Sequence, residues 1–205
     1  MQRQGLGMSQ AISTIGQPTI EIVSLFPKQG HWTEEAYFRL PETNRIVELS
    51  EGRLIITPSP TTQHQRIVLK SSHLLVDHVS LHNLGEVIIA PMDVRLWEGN
   101  IRQPDIIFMS NEHLDRTTNK RWGIPDLAVE VTSPGTKRED RKDKYAEYEK
   151  AGIKEYWIID PDKQTVEVFE LKDRRYAIIG SFRGSDIVTS NALKDFSFKA
   201  ESIFV

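Results

Sequence analysis

One stretch of the chain reads Pro125-Asp-Leu-Ala-Val-Glu-Val-Thr-Ser-Pro134, and its apolar residues alternate along the sequence. Because successive side chains of a strand point to opposite faces, the leucine and the two valines share one face, and Glu130 and Thr132 share the other. The alternation therefore predicts a buried strand with an acid in its middle. An ionised carboxylate is costly to bury unless it is paired or binds a metal, so the strand also indicates a functional site.

The segments around this strand predict an α/β fold. A charged helix over Thr136–Ala151 and a strand over Lys154–Ile159 follow it, which is typical of a right-handed crossover between parallel strands. Hairpins elsewhere predict antiparallel pairing, so we expect a mixed, twisted β-sheet flanked by helices. The other predicted elements are helices at Thr33–Leu40 and Thr62–Asn83, hairpins at Ile46–Thr57 and Thr165–Phe182, and strands at Val87–Ala90, Asp93–Trp97 and Gln103–Met109.

The composition is that of an ordinary soluble chain, and its 205 residues suffice for a core. A net charge of −3 excludes a globally basic nucleic-acid binder, so any DNA contact must come from a local patch. The chain has no cysteine, which excludes disulfides and cysteine-ligated zinc and fits a reducing cytoplasm. We see no membrane span or signal peptide. We expect a flexible segment over residues 1–28 and one domain over residues 29–205.

Three acids lie within the predicted apolar strands, namely Glu48, Asp105 and Glu130. Asp126 is roughly 13 Å from Glu130 at about 3.3 Å per residue, so these two cannot share one ion, and Asp126 is better explained as a strand-start residue. Neighbouring strands are about 4.8 Å apart, so Asp105 on an adjacent strand can meet Glu130 over one cation. Clustered carboxylates repel unless a cation neutralises them, and a ligand set of oxygens without histidine favours Mg²⁺ or Mn²⁺. Such an ion suits phosphodiester hydrolysis.

Several motifs, in this order, resemble the Uma family of putative restriction endonucleases, which belongs to the PD-(D/E)xK nuclease superfamily. The resemblance covers about residues 31–200. It implies a restriction-endonuclease-like core and Mg²⁺-dependent cleavage of DNA. The similar segments are Ile46-Val-Glu-Leu-Ser-Glu-Gly-Arg-Leu54, Ser59-Pro60 followed by His64, Pro104-Asp-Ile-Ile107, the strand quoted above, Asp140-x3-Lys144-x3-Tyr148-x3-Gly152 and Glu155-Tyr-Trp-Ile-Ile-Asp-Pro161.

The resemblance also implies roles for single residues. Asp105 and Glu130 match the metal-binding acids, and Glu48 matches an additional acid near the start of the core. The superfamily pattern places a lysine two residues after the acid, where it orients water or offsets negative charge, but this chain has Thr132 there. We predict that Lys144, on the following helix, supplies that charge. The predicted catalytic set is thus the three acids and Lys144, and the predicted metal ligands are Glu48, Asp105 and Glu130.

Each of these assignments has a structural alternative. Glu130 could be a buried acid that pairs with an arginine or lysine, and Asp105 could cap a turn. Glu48 could be exposed at the edge of a hairpin. Lys144 could form a surface pair with Asp140, four residues earlier on the same helix face.

Other residues have weaker claims to a role. His64 begins the long helix and could touch the site or the DNA backbone, or simply cap the helix. The basic residues of the segment 137–144, with Lys142 among them, could contact phosphates or face solvent. His78 and His82 are more simply a solvated pair. Four aromatic residues are assigned to the core: Tyr145, Tyr148, Trp157 and Phe169.

The leading hypothesis is a cytoplasmic, metal-dependent endonuclease that hydrolyses DNA, with Mg²⁺ or Mn²⁺ as cofactor. Cutting both strands often uses two sites, so a homodimer is consistent with it. The alternative is a catalytically inactive nuclease-fold module that binds DNA or a protein partner, which Thr132 and the acidic net charge favour. A hydrolase of smaller phosphate esters is a third hypothesis, but no glycine-rich phosphate loop supports it.

Overall fold

The computed structural model describes residues 26–41, 45–133 and 139–204, so all but the last three residues of the predicted flexible segment lie outside it. The helices are α1 (Glu34–Phe38), α2 (Thr62–His82) and α3 (Tyr145–Ala151), with a π-helical turn at Glu139–Lys144 and 3-10 turns at Asn111–Arg116 and Ala200–Ile203. The strands are β1 (Val47–Ser50), β2 (Arg53–Ile56), β3 (Gly85–Ile89), β4 (Asp93–Trp97), β5 (Asn100–Arg102), β6 (Ile106–Ser110), β7 (Arg121–Trp122), β8 (Leu127–Val131), β9 (Glu155–Asp160), β10 (Thr165–Lys172), β11 (Arg175–Arg183), β12 (Ile187–Thr189) and β13 (Ser197–Lys199).

The α/β class is confirmed, but the strands form two main sheets instead of one. A six-stranded sheet has the order β11-β10-β9-β8-β6-β3, a five-stranded sheet has the order β2-β1-β5-β4-β7, and β12 pairs with β13. The predicted parallel crossover is correct, because β8 and β9 run parallel, with Val129 opposite Trp157. The hairpin β1-β2 joins the second sheet because β1 pairs with β5, at Leu49 and Ile101.

The two faces of β8 contact different layers. On one face, the apolar stripe of α2 (Ile67, Val68, Leu75 and Val79) packs with the leucine and valines of β8 in one buried cluster. On the other face, Ala128 packs with residues of α3 and β9. Glu130 shares a strand face with Ala128, so its carboxylate points toward the π-helical turn and α3.

A break between the two sheets positions Asp105. The sequence predicts one strand over Gln103–Met109, but the structure has β5 ending at Arg102 and β6 beginning at Ile106. Pro104 lies in the gap, and its lack of an N–H group prevents a continuous ladder there. The chain therefore passes from the five-stranded to the six-stranded sheet at Gln103–Asp105, and the acid lies at the junction.

The predicted helix over Thr136–Ala151 also differs from the structure. Its first three residues lie outside the described ranges, the segment Glu139–Lys144 is π-helical, and α-helical geometry begins at Tyr145. The predicted stop is correct, since Gly152 ends α3 with a positive φ of 91°. A π-helical turn changes the direction of side chains relative to an α-helix and is frequent at functional sites.

Candidate active site

Asp105 lies directly before β6, beside Glu130 of the neighbouring strand β8. Ile106, the first residue of β6, pairs with Val129 in antiparallel register, so continuing that register by one residue brings Asp105 opposite Glu130. Opposed residues of an antiparallel pair have Cβ atoms about 4.5–5.5 Å apart. Asp105 Oδ2 accepts the backbone N–H of Val131 at 2.7 Å and lies 3.2 Å from His64 Nε2. The predicted proximity of the two acids is confirmed.

Two side chains from the helical layer hold the Glu130 carboxylate. Lys144 Nζ donates to Glu130 Oε1 at 2.9 Å, and the Tyr148 hydroxyl donates to the same oxygen at 2.7 Å. Tyr148 is buried, as the core assignment implies, but that assignment missed its contact with the acid. The spacing of Lys144 and Tyr148 is the available signal, because residues four apart share one helix face.

Lys144 is a buried cation among acids. Its ammonium lies 2.9 Å from Glu130, 3.4 Å from Glu48 and 3.6 Å from Asp140. The surface-pair alternative is wrong, because Lys144 is 5% exposed and Asp140 is 1% exposed. Burial lowers the pKa of Lys144, but the surrounding carboxylates outweigh it and raise the pKa well above its ordinary value. The lysine therefore stays charged inside the fold.

Both carboxylate oxygens of Glu48 accept hydrogen bonds, unlike those of the other two acids. Its Oε2 accepts from Arg102 Nη1 at 3.0 Å, and its Oε1 accepts the backbone N–H of Gln103 at 2.8 Å. Burial raises the pKa of Glu48, but Lys144 and Arg102 outweigh it and hold the pKa below its ordinary value. The exposed-edge alternative is wrong, because Glu48 is fully buried. Glu48 is therefore ionised and stabilises the Lys144 ammonium, which lies 3.4 Å away.

Arg102 is the residue that the sequence analysis missed. It is buried and bridges Glu48 to Glu147, whose carboxylate accepts from its Nε at 2.6 Å and its Nη2 at 3.1 Å. Burial lowers the pKa of Arg102, and the two glutamates outweigh that and raise it. The available signal is the strand alternation of Asn100 and Arg102, but the predicted strands end at Trp97 and begin again at Gln103, so neither residue was assigned to a strand. Arg102 thus connects the five-stranded sheet to α3.

The remaining predicted residues occupy different places. A pocket of about 190 Å³, which we call the reaction pocket, is lined by the three predicted acids, Lys144 and His64. The expectation of a cluster without histidine is therefore wrong. Thr132 is buried and its backbone N–H donates to Ile159 at 2.8 Å, but it is not among the described residues that line the pocket. Lys142 is exposed and also lies outside that lining.

The described lining of this reaction pocket carries more negative than positive charge. Its carboxylates come from Glu48, Asp105, Glu130 and Asp140, whereas Lys144 is its ammonium. Burial, the largest cause, and the neighbouring carboxylates raise the pKa of Glu130 well above its ordinary value, although Lys144 opposes them. A proton on Glu130 relieves the repulsion between these acids, and so would a bound cation.

The chemistry of the two opposed acids fits a hard divalent ion. Within the described residues, Asp105 Oδ1 and Glu130 Oε2 accept no hydrogen bond, which leaves one oxygen on each acid for a ligand. No group of three His, Cys, Asp or Glu residues in that part of the chain could hold a metal. Mg²⁺ is commonly bound through one or two carboxylates, with water and substrate phosphate completing its shell. A two-carboxylate site therefore fits. Glu48, the third predicted metal ligand, differs from the other two acids because Arg102 and the Gln103 backbone N–H engage both of its oxygens.

Asp126 is a structural acid, as the strand-start interpretation predicts. It is buried and accepts from Lys154 Nζ at 2.7 Å, from His113 Nδ1 at 2.9 Å and from the backbone N–H of Ser110 at 2.8 Å. Burial raises the pKa of Asp126, but these donors outweigh it and hold the pKa well below its ordinary value. The ionised carboxylate thus joins β8 to the turn after β6.

We expect Asp126→Asn to lower the free energy of unfolding by about 2 kcal/mol at pH 7, because the amide is neutral and its NH2 group replaces an oxygen that accepts a hydrogen bond in the wild type. The native pKa of Asp126 lies below its unfolded value, so its contribution is full above about pH 4 and fades as the pH falls further. Urea unfolding at pH 7 and pH 3 measures both values. The exposed Asp77→Asn is the control. An equal loss at both pH values would contradict the ionised role.

The comparisons with known proteins agree with this architecture. A family model described as "Putative restriction endonuclease", Uma2, matches residues 34–201. The chain belongs to the Uma2 family. This Uma2 chain is similar to the crystal structure of a putative nuclease of DUF820 from Anabaena variabilis, with a TM-score of 0.71 and 21% sequence identity. The match covers 84% of this chain and 97% of the other. At that identity the likeness shows the fold. No curated protein matches this Uma2 member.

In the described part of the chain, no helix combines the length and apolarity that a bilayer crossing needs.

Proposed function

We propose that the protein is an endonuclease that hydrolyses DNA phosphodiester bonds and requires Mg²⁺ or Mn²⁺. One observation carries the proposal: Asp105 and Glu130 oppose each other at the junction of two sheets, each with a carboxylate oxygen that no described residue engages, in a pocket that also contains Lys144. The membership in Uma2 supports a nuclease, and the two acids support its dependence on a divalent ion.

Asp105 and Glu130 would hold the ion, which when bound activates water and offsets negative charge on the phosphate oxygens. The backbone N–H of Val131 and the ring of His64 orient Asp105. Tyr148 and Lys144 orient Glu130 from the other side. These four contacts fix both carboxylates before substrate arrives, which reduces reorganisation during the reaction.

Lys144 serves the role that the superfamily lysine has two residues after the acid. Its ammonium reaches Glu130 from the helical layer, so the charge enters the pocket although Thr132 occupies the usual position. Glu48, anchored by Arg102, holds the ammonium from behind at 3.4 Å. In this arrangement Lys144 offsets the charge that develops on the phosphate during attack.

The proposal is tested by incubating supercoiled plasmid with the protein and Mg²⁺ or Mn²⁺, with and without EDTA. We expect nicking that EDTA abolishes and that Asp105→Asn lowers about 100-fold or more, because the variant loses a charged ligand. Asp77→Asn, an exposed amide replacement on α2, should cut like the wild type. Cutting in EDTA, or equal cutting by Asp105→Asn, would contradict the proposal.

Replacing Lys144 with Met should lower the nicking rate about 100-fold, because the pocket loses the charge that faces the phosphate. Lys142→Met is the matched control: it removes an exposed lysine from the same turn, so its rate should change only severalfold, in a salt-dependent way. Circular dichroism shows whether both variants keep the fold. A folded Lys144→Met protein with wild-type activity would assign the lysine a purely structural role.

The second candidate function is a nuclease-fold module that binds DNA or a protein partner without cutting. The environment of Lys144 favours it, because the ammonium already contacts three acids. This candidate predicts salt-sensitive DNA binding that neither Mg²⁺ nor Mn²⁺ converts into cleavage. A homodimer and a cytoplasmic location stay predictions.

A further inference from the structure

A second cavity of about 580 Å³ lies beside the reaction pocket, and we call it the side cleft. Its volume falls in the range of small-ligand sites, roughly 300–1,000 Å³. The side cleft and the reaction pocket share lining residues, including His64, Gln103 and Asp105. A ligand in the side cleft is therefore adjacent to a phosphate that is bound at the ion Asp105 would hold.

Two hydrogen-bond acceptors in the side cleft receive no donor from the part of the chain that the structure describes. Asp93 Oδ1 accepts from the Tyr37 hydroxyl at 2.8 Å and from Gln103 Nε2 at 2.7 Å, whereas Asp93 Oδ2 accepts no hydrogen bond from the described residues. Gln103 Oε1 is buried and has no partner there. The amide orientation follows from its contacts, because Nε2 also lies 3.3 Å from the Val47 carbonyl oxygen. A ligand with N–H donors would satisfy Asp93 Oδ2 and Gln103 Oε1.

Flat and apolar groups complete the side cleft. Phe38 is 45% exposed and Ile89 is 47% exposed, although both are apolar. Pro60 and Pro91 also line the walls. A planar, partly apolar ligand would cover these groups, and bases stack on aromatic rings in single-stranded nucleic-acid sites.

We propose that the side cleft binds the base of the nucleotide next to the cut phosphate, and that this base carries an exocyclic amine. The inference rests on the proposed nuclease function and specifies its substrate. Adenine, cytosine and guanine carry an amine that can donate to Asp93 and Gln103, whereas thymine has only a ring N–H between two carbonyl groups. The walls at Phe38 and Ile89 cover the faces of the base.

A base inside a duplex cannot enter this cleft. It is stacked and paired, so it must rotate out of the helix before the phosphate reaches Asp105. An unpaired base has already lost its pairing partner, so its rotation costs less than that of a paired base. The protein therefore prefers DNA with an unpaired amino-bearing base at the cut position.

The test measures affinity by fluorescence anisotropy of labelled oligonucleotide duplexes in EDTA, where no metal-dependent cutting occurs. One duplex is fully paired, and the others carry a single bulged cytosine, thymine or abasic residue. We expect the cytosine bulge to bind about tenfold more tightly than the other three duplexes, because it alone offers an amine and a stacking face. The abasic bulge controls for a flexible backbone.

Ile89→Trp fills the side cleft and should remove the preference for the cytosine bulge. Ile178→Trp is the matched control, since it enlarges an exposed isoleucine on β11, away from the side cleft. Equal affinity for all four duplexes, no binding to any of them, or an unchanged preference in a folded Ile89→Trp protein would overturn the inference. Adding Mg²⁺ separates the two proposals. Cutting without a preference for the cytosine bulge overturns only the proposed base site, and a preference for the cytosine bulge without cutting overturns only the proposed nuclease activity.

Discussion

Glu130→Gln should lower the rate of plasmid nicking at least about 1000-fold and leave the fold intact. The amide keeps the shape of the side chain and an oxygen for the bonds from Lys144 and Tyr148, but it loses the negative charge that would hold the ion. Glu48 and Asp140 still face Lys144 in the variant, so we expect it to stay folded, with a melting temperature close to that of the wild type.

The control for this variant is Glu86→Gln, an exposed glutamate on β3. It should cut at the wild-type rate under the same conditions. Initial nicking rates and melting temperatures of the two variants and the wild type give both quantities. If Glu130→Gln kept activity within about tenfold of wild type, Glu130 would not be the charged ligand that the proposal requires.

Arg102→Met should lower the free energy of unfolding by about 3–5 kcal/mol at pH 7. The guanidinium is buried between Glu48 and Glu147, so its loss leaves buried carboxylates short of a compensating charge. For a chain of this size, the melting temperature should fall by roughly 10 °C. The effect should shrink on acidification: the native pKa of Glu48 is held below its ordinary value, so its ionised form stabilises the wild type mainly above about pH 4.

The comparison for this prediction is Arg175→Met. Arg175 pairs with Glu149 at 2.9 Å but is 84% exposed, and exposed ion pairs contribute about 0–1 kcal/mol. Chemical denaturation of both variants at pH 7 and pH 3 gives the loss of unfolding free energy at each pH, for the buried pair and for the exposed pair. A loss at Arg102 no larger than the loss at Arg175 would mean that Arg102 does not anchor Glu48.

The opposed acids were predictable because they depend on local patterns. The alternation around Glu130 marks a buried strand, and the spacing of neighbouring strands brings Asp105 within reach. Lys144 was a candidate because the resemblance calls for a lysine that Thr132 does not supply, but its direction stayed open beside the alternative of a surface pair with Asp140. Its orientation depends on the π-helical turn at Glu139–Lys144, which no short sequence pattern specified.

The parts that sequence reasoning missed depend on distant pairing. Arg102 was passed over because its three-residue strand β5 is defined by pairing with β1 and β4, not by its own short sequence. The same pairing creates the second sheet and brings Glu48 behind Lys144. Tyr148 was assigned to the core because a buried aromatic ring and a hydroxyl that holds an acid give the same sequence signal.

The most direct test of the central claim is the anomalous scattering of Mn²⁺ in crystals of the wild-type protein grown or soaked with the ion. The account predicts one strong peak within coordination distance of Asp105 and Glu130, and no peak there in Glu130→Gln crystals treated in the same way. It also predicts that Glu48 keeps its contacts with Arg102. A Mn²⁺ peak elsewhere in the protein, with none between Asp105 and Glu130, would contradict the account.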